Sequence, residues 1–217
     1  MTFILAIQLQ DSIIVAADNR SLTLNHKDRS FFSQDQTTKL HTWPNGMITG
    51  AGEEYVISNA VKLFKKYKKF EMADLVDCLR ISRHLRIQDV GQHQQIQGTK
   101  LLCSRYCDDG AQLYSISPED DQHDRITALK PYDFILWLVN TDLQHIAAEL
   151  QKLYASLKDF SAFTDEQQWL DFYQMPLSKI FYQQSLYDYT MSRSFDIFFQ
   201  NKNQCICLHI ENNAAPF

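Results

Sequence analysis

The stretch Met1-Thr-Phe-Ile-Leu-Ala-Ile-Gln-Leu-Gln-Asp-Ser-Ile-Ile-Val-Ala-Ala-Asp18 decides how the chain is read. Phe3 to Leu9 is almost wholly apolar and reads as a strand buried on both faces. Gln10-Asp11 is polar enough to turn the chain. Ser12 to Ala17 is a second apolar run that stops abruptly at Asp18. Two such strands paired as a hairpin bring Thr2 and Asp18 to the same end. The chain therefore starts inside the protein, whereas most N-termini are loose and solvated.

That position suggests a chemistry. Initiator Met is commonly removed before a small residue, and Thr2 is small enough. Its removal leaves an α-amine beside the Thr2 hydroxyl. An α-amine has a pKa of about 7.7–8.0, so a useful fraction is neutral at physiological pH. It then takes the hydroxyl proton, which is the N-terminal-amine form of nucleophile activation. A retained Met1 would acylate that nitrogen and remove the base. The plain alternative is that Thr2 merely opens a strand.

The next segments extend the pattern. Asp18-Asn19-Arg20-Ser21 follows the second strand, Thr37-Thr38-Lys39-Leu40 follows a polar loop, and Asn45-Gly46-Met47-Ile48-Thr49-Gly50-Ala51-Gly52-Glu53-Glu54 runs turn, strand and helix start. This order resembles the proteasome β-subunit family and its bacterial ring-peptidase relatives (HslV-like), within the N-terminal nucleophile hydrolases. There an N-terminal Thr opens the first strand, an Asp-x-Arg ends the second, a Lys opens the third and a Gly pair ends the fourth. From Thr2 to Ala17 the spacing fits without gaps, and the loop before Lys39 is several residues longer than the family usually has.

The resemblance implies Thr2 as nucleophile, Lys39 beside it favouring loss of the Thr proton, and Asp18 keeping Lys39 charged and aimed. It implies the Gly50 N–H as oxyanion donor, a preorganised dipole of the kind that lowers an acyl-transfer barrier by several kcal/mol. Asp188 in Tyr187-Asp188-Tyr189-Thr190-Met191-Ser192 matches a supporting Asp, but the family's Ser three residues later is Met191 here. Arg20, Ser192, Asn140 and Thr141 are the candidate supporting residues, the last two replacing a Gly-Ser-Gly turn. Leu22 replaces a residue that holds substrate backbone in the family. The substrate pocket is expected from Ser21, His41, Ile48 and Gly52, with an apolar wall, no acidic residue and a preference for a medium apolar side chain.

Composition bounds the class. A chain of 217 residues with 45% hydrophobic and 22% charged residues suits one sizeable globular domain, expected to span 1–217. No apolar run approaches the ~20 residues of a membrane span. The apolar start has no basic region before it and is not expected to be a signal peptide. A net charge of -5 and a pI near 5.8 argue against an extended nucleic-acid surface. Five Cys without an export signal suggest reduced and mostly buried thiols in a cytoplasmic protein. The Cys103/Cys107 and Cys205/Cys207 pairs lack zinc-knuckle spacing, so no metal or other cofactor is expected.

Along the chain, residues 19–36 read as a polar loop, its Phe31-Phe32 pair docking it or lining the cleft. Lys39 to Trp43 and Met47 to Ala51 read as strands. A helix begins at Glu53-Glu54, with Ile57, Ala60, Val61 and Phe64 on one face and Lys65, Lys66, Lys68 and Lys69 at its negative end. Met72 to Leu85 is a second helix with Arg80, Arg83 and Arg86 on its solvated side. Ile87 to Gly98 reads as a loop, Thr99 to Tyr106 and Ala111 to Ile116 as strands, Pro118 to Asp124 as an acidic loop, and Asp133 to Val139 as a buried strand. Asp142 to Leu157 is helical. Lys158 to Met175 looks irregular, with Phe160, Phe163, Trp169 and Phe172 exposed as a subunit contact. Pro176 starts the last helix, and Phe195 to Gln200 and Gln204 to Ile210 close the chain as strands.

Two stacked, mainly antiparallel sheets flanked by helices would bury all these runs, an α+β four-layer αββα sandwich that is also the resembled fold. The expected function is a threonine peptidase acting on peptides or unfolded proteins in a homo-oligomeric ring or arc. The resemblance also implies an ATP-dependent unfoldase partner. A catalytically silent scaffold subunit and a small-substrate amidase of the same superfamily stay open as alternatives.

Overall fold

The computed structural model describes residues 3–24, 31–67, 71–119, 123–138 and 142–212. They divide into two compact units, the first within residues 1–40, 106–112 and 130–217, the second within 41–105 and 113–129.

The first unit carries the opening hairpin. Strands β1 (Ile4–Gln8) and β2 (Ile13–Asp18) are buried at every position, as their unbroken apolar runs require. They pair antiparallel with Ile4 opposite Ala17 and Gln8 opposite Ile13. A short hairpin of β3 (Ser21–Leu24) and β4 (Phe31–Gln34) follows where a plain loop is expected. The sheet is completed by β10 (Phe134–Trp137), β11 (Phe195–Gln200) and β12 (Cys205–Ile210), in the order β10-β1-β2-β11-β12, with antiparallel pairing throughout. Strand β10 is only half-buried.

Helices α4 (Ala147–Ala155) and α5 (Glu166–Tyr187) cover one face of that sheet. Phe3, Leu5, Ile7 and Leu9 alternate onto this face and meet Trp169, Tyr173, Leu177, Ile180 and Phe181 from α5. Two expectations are corrected here. The segment from Lys158 to Met175 is mostly ordered helix, capped by the Asp165 carboxylate on the Gln168 N–H, and Pro176 lies inside α5 rather than at its start. Its aromatics are not a free surface. Trp169 is fully buried, with ring contacts to Phe160 and Phe199, and Phe163 and Phe172 pack on the same core.

The second unit holds β5 (His41–Trp43), β6 (Gly46–Ala51), α1 (Glu54–Phe64), α2 (Met72–Val90), the single turn α3 (Gln94–Gln97), β9 (Asp124–Ala128) and most of β7 (Lys100–Cys107) and β8 (Gly110–Pro118), whose residues within 106–112 belong to the first unit. The five strands follow sequence order in one sheet. Glu53 caps α1 through its carboxylate on the Val56 N–H. Val56, Ile57, Ala60, Val61 and Phe64 form the buried face of α1 and pack on Leu75, Val76, Cys78 and Leu79 of α2.

Here too the structure departs from the sequence reading. Helix α2 runs on to Val90, and β9 occupies the end of the acidic loop and beyond. Arg83 and Arg86 are only partly exposed and are held in ion pairs. Arg83 donates from one nitrogen to both carboxylate oxygens of Asp124 and from another to the Thr99 carbonyl. Arg86 pairs with the capping Glu53, while Arg80 stays exposed beside Asp77.

The fold is thus α+β, built of antiparallel sheets flanked by helices. Among the described residues no helix is long and apolar enough to cross a membrane.

Candidate active site

Strand β2 ends at Asp18 because the buried apolar run ends there, and the carboxylate is nonetheless fully buried. A buried charge needs partners, and among the described residues Asp18 has four. Its Oδ1 accepts the Phe3 N–H at 2.8 Å and the Lys39 ammonium at 2.6 Å. Its Oδ2 accepts the Arg20 N–H at 3.0 Å and the Ser192 N–H at 3.4 Å. The Lys39 side chain is itself only 10% exposed. Three segments distant from Asp18, at Phe3, Lys39 and Ser192, therefore converge on one carboxylate beside the neighbouring Arg20 N–H, and one of them is the residue that follows Thr2.

The surrounding chain is held by further hydrogen bonds. The Asn19 N–H donates to Ser192 Oγ at 2.8 Å, and the Ser192 hydroxyl donates to the Ser194 carbonyl. The Thr37 N–H donates to the Asn19 carbonyl, and the Thr37 hydroxyl donates to Ser21 Oγ. Arg20 grips Asp35 through two nitrogens at 2.6 and 2.8 Å and donates a third time to the Tyr189 carbonyl. That grip holds the Asp35 carboxyl below the usual carboxylate value and raises Arg20 further. A polar cleft of about 550 Å³ opens beside these groups, lined by Arg20, Asp35, Tyr189, Ser192, Arg193 and His209 among others.

The sequence-derived candidates fall as follows. Asp18, Lys39, Arg20 and Ser192 meet in one cluster. Asp188 is buried, but its recorded partner is the turn it closes: Oδ1 accepts the N–H of Thr190 at 2.9 Å and its hydroxyl at 2.5 Å. Met191, at the position of the family's Ser, is buried in the apolar core, and the hydroxyl one residue on, Ser192, is the one that reaches Asn19. Thr2, Asn140 and Thr141 lie outside the described residues, as do Lys68, Lys69 and the side chains of Phe31 and Phe32.

Gly50, His41, Ile48 and Gly52 belong to the second unit. Gly50 pairs with Leu101, and a Cβ there would come within 2.7 Å of the Lys100 carbonyl oxygen, so the close strand approach requires glycine. Gly52 has φ +130°, and a Cβ would meet Thr99 Cα at 2.5 Å. Ile48 is fully buried with Val56 and Phe64, and Ser21, in the first unit, is nearly so. His41 and Gly52 keep partial exposure. Burial, with the Lys65 charge, pushes the His41 imidazole down from its usual value.

Sequence reasoning missed Asn19, Asp35, Thr37, Asp196 and His209 as parts of this network. Asn19 carried one signal, an amide between two residues of the site pattern. It also missed a cleft of about 980 Å³ in the second unit, lined by Arg80, Ile81, Arg83, His84, His123 and Asp124 among others.

No family model and no curated protein matches the sequence. The fold is similar to that of solved structures, among them two Anbu proteins. One is a Gly-1 mutant of Anbu from Hyphomicrobium sp. strain MC1, with a TM-score of 0.63 and 15% identity, covering 97% of this chain and 87% of that one. The other is Anbu (ancestral β-subunit) from Yersinia bercovieri, with a TM-score of 0.63 and 12% identity, covering 97% and 89%. These findings overturn the closer resemblance drawn from the sequence. At 12–15% identity the likeness is to Anbu, a distinct proteasome-like family, and not to the HslV-like ring peptidases. What the chain shares with Anbu is the proteasome-like N-terminal nucleophile hydrolase fold.

Proposed function

We propose that the protein is a proteasome-like threonine peptidase, a single-domain N-terminal nucleophile hydrolase that cleaves amide bonds through Thr2 once Met1 is lost. The observation that carries this reading is the shared use of Asp18 Oδ1 by the Phe3 N–H and the Lys39 ammonium. It ties the residue after Thr2 and a buried cation to one anchor. The Thr2 hydroxyl would attack a substrate carbonyl, its proton passing to the free α-amine, and the resulting ammonium would give that proton to the leaving amine as the substrate C–N bond breaks. Lys39 would favour the alkoxide, and Asp18 would aim Lys39. Water would then release the acyl group from the Thr2 oxygen. Peptides or unfolded proteins are the substrates this reading favours, handled in a cytoplasmic homo-oligomeric ring or arc.

The test is covalent trapping. Met-free protein exposed to an electrophile selective for N-terminal nucleophiles should carry the adduct on Thr2, and Thr2→Ala and Lys39→Ala should each abolish it. Equal labelling of Thr2→Ala would exclude the catalytic role. A strictly monomeric mass in light scattering at high concentration would exclude the ring.

Met191 favours a second reading, a catalytically silent subunit. Its buried side chain puts no hydroxyl three residues after Asp188. Met-free protein that neither accepts the electrophile nor cleaves any fluorogenic peptide would establish that reading.

A further inference from the structure

We propose that Asn19 is a positioning residue for the Asp18–Lys39 pair, and that the Asp196 carboxylate, backed by His209, holds it in place. The catalytic consequence rests on the hydrolase reading above, whereas the positioning itself is a matter of geometry.

Asn19 is 2% exposed. Its N–H goes to Ser192 Oγ, and its carbonyl takes the Thr37 N–H at 2.8 Å, two residues before Lys39. The backbone of this one residue thus ties together the strand that ends in Asp18, the segment that delivers Lys39 and the turn that supplies Ser192. A tilt of Asn19 would move all three.

The Asn19 side chain resists that tilt. Its Nδ2 donates to Asp196 Oδ2 at 2.8 Å. Asp196 lies on β11, opposite Ala17 of β2, and is set by that ladder. Its other oxygen is 2.7 Å from His209 Nδ1, the residue opposite it on β12, and His209 Nε2 is 3.5 Å from Glu211. A run of polar contacts therefore crosses from the half-exposed edge strand to a buried amide. Among the described residues Asn19 Oδ1 has no hydrogen-bond partner, so Asp196 is the recorded anchor of this side chain. An amide suits position 19 because a carboxylate there would face Asp196 charge to charge.

Hydrogen exchange at the Thr37 amide reads this positioning without turnover. In Asp196→Ala it should speed up by about tenfold, the scale of one net hydrogen bond, with the Ile14 amide of the core strand unchanged. Asp196→Asn keeps an oxygen for Asn19 Nδ2 and should restore slow exchange. If Asp196→Ala fails to fold, Asn19→Asp supplies the same test by repulsion. Unchanged Thr37 exchange in these variants, or equal acceleration in Asp196→Ala and Asp196→Asn, overturns the proposal. In Met-free protein that hydrolyses peptides, Asp196→Ala should lower kcat by about tenfold with KM held, and Asp196→Asn should recover it. A loosened Thr37 with kcat intact removes the catalytic half of the proposal. The expected exchange pattern in a wild type without any hydrolysis removes the hydrolase reading and leaves the positioning standing.

Discussion

Ser192 Oγ accepts the backbone N–H of Asn19 at 2.8 Å while the Ser192 N–H points to Asp18 Oδ2. One serine thus braces both ends of the Asp18–Asn19 peptide. Ser192→Ala leaves a buried N–H without its acceptor, which costs about 1–3 kcal/mol. Urea unfolding should show that loss, and Thr2 labelling should slow. Ser192→Thr keeps the hydroxyl and should fall between the two.

Lys39 and Asp18 form a buried ion pair, so removing one charge strands the other. Lys39→Ala should destabilise by about 3–5 kcal/mol, and pairing Lys39→Met with Asp18→Asn should recover much of it. Chemical denaturation of the two single variants and the double variant measures the coupling. Additive losses would contradict direct pairing.

Trp169 and Tyr189 are both aromatic residues on the C-terminal side of the chain, but the first is fully buried and the second is 71% exposed. Trp169→Ala should cost about 3–5 kcal/mol, whereas Tyr189→Ala should stay within about 0.5 kcal/mol. Thermal unfolding of the two variants distinguishes a core role for the aromatic segment from a docking role.

Asp11 gives acid sensitivity a specific origin. Burial pushes its carboxyl upward, but hydrogen bonds from Ser161, Phe160 and Ser12 outweigh this and leave the value below the ordinary 3.8. A carboxyl depressed by folding stabilises fully above its unfolded value and loses that contribution as pH falls through the folded one. Stability should therefore drop below about pH 4, and Asp11→Asn should flatten that limb. A stability–pH series on both proteins checks it.

The thiols are not mostly buried, as the sequence suggests: Cys107, at the end of β7, and Cys205 and Cys207, on the edge strand β12, are exposed, and only Cys78 and Cys103 lie inside. Burial raises Cys103 to about 12 and raises Cys78 as well, while Cys107 and Cys205 are exposed. Alkylation of native protein at pH 8 should modify Cys107 and Cys205 and spare Cys78 and Cys103. Peptide mass mapping reads the outcome.

Much of this architecture is legible in the sequence where burial is one-dimensional. The β1 and β2 runs are unbroken because both faces are covered, and the α1 spacing survives because one face meets α2. Strands β3 and β9 are short and rich in polar residues, so no periodicity marks them. The start of α5 is hidden because Trp169, Leu170 and Tyr173 sit among half-buried aromatics outside the helical stripe, and Pro176 resembles a boundary. Asp18, Lys39 and Ser192 are readable as candidates. The partners Asp124 for Arg83 and Asp196 for Asn19 lie 41 and 177 residues away, and no local pattern carries such pairings.

The reach of Asp18 also sets a timetable. Its carboxylate draws on Phe3, earlier in the chain, and on Ser192, 174 residues beyond Asp18 itself. A chain still growing on the ribosome cannot complete the brace around Asp18 until Ser192 is made. If Thr2 acts as proposed, a product truncated before Ser192 would lack part of the brace around Asp18.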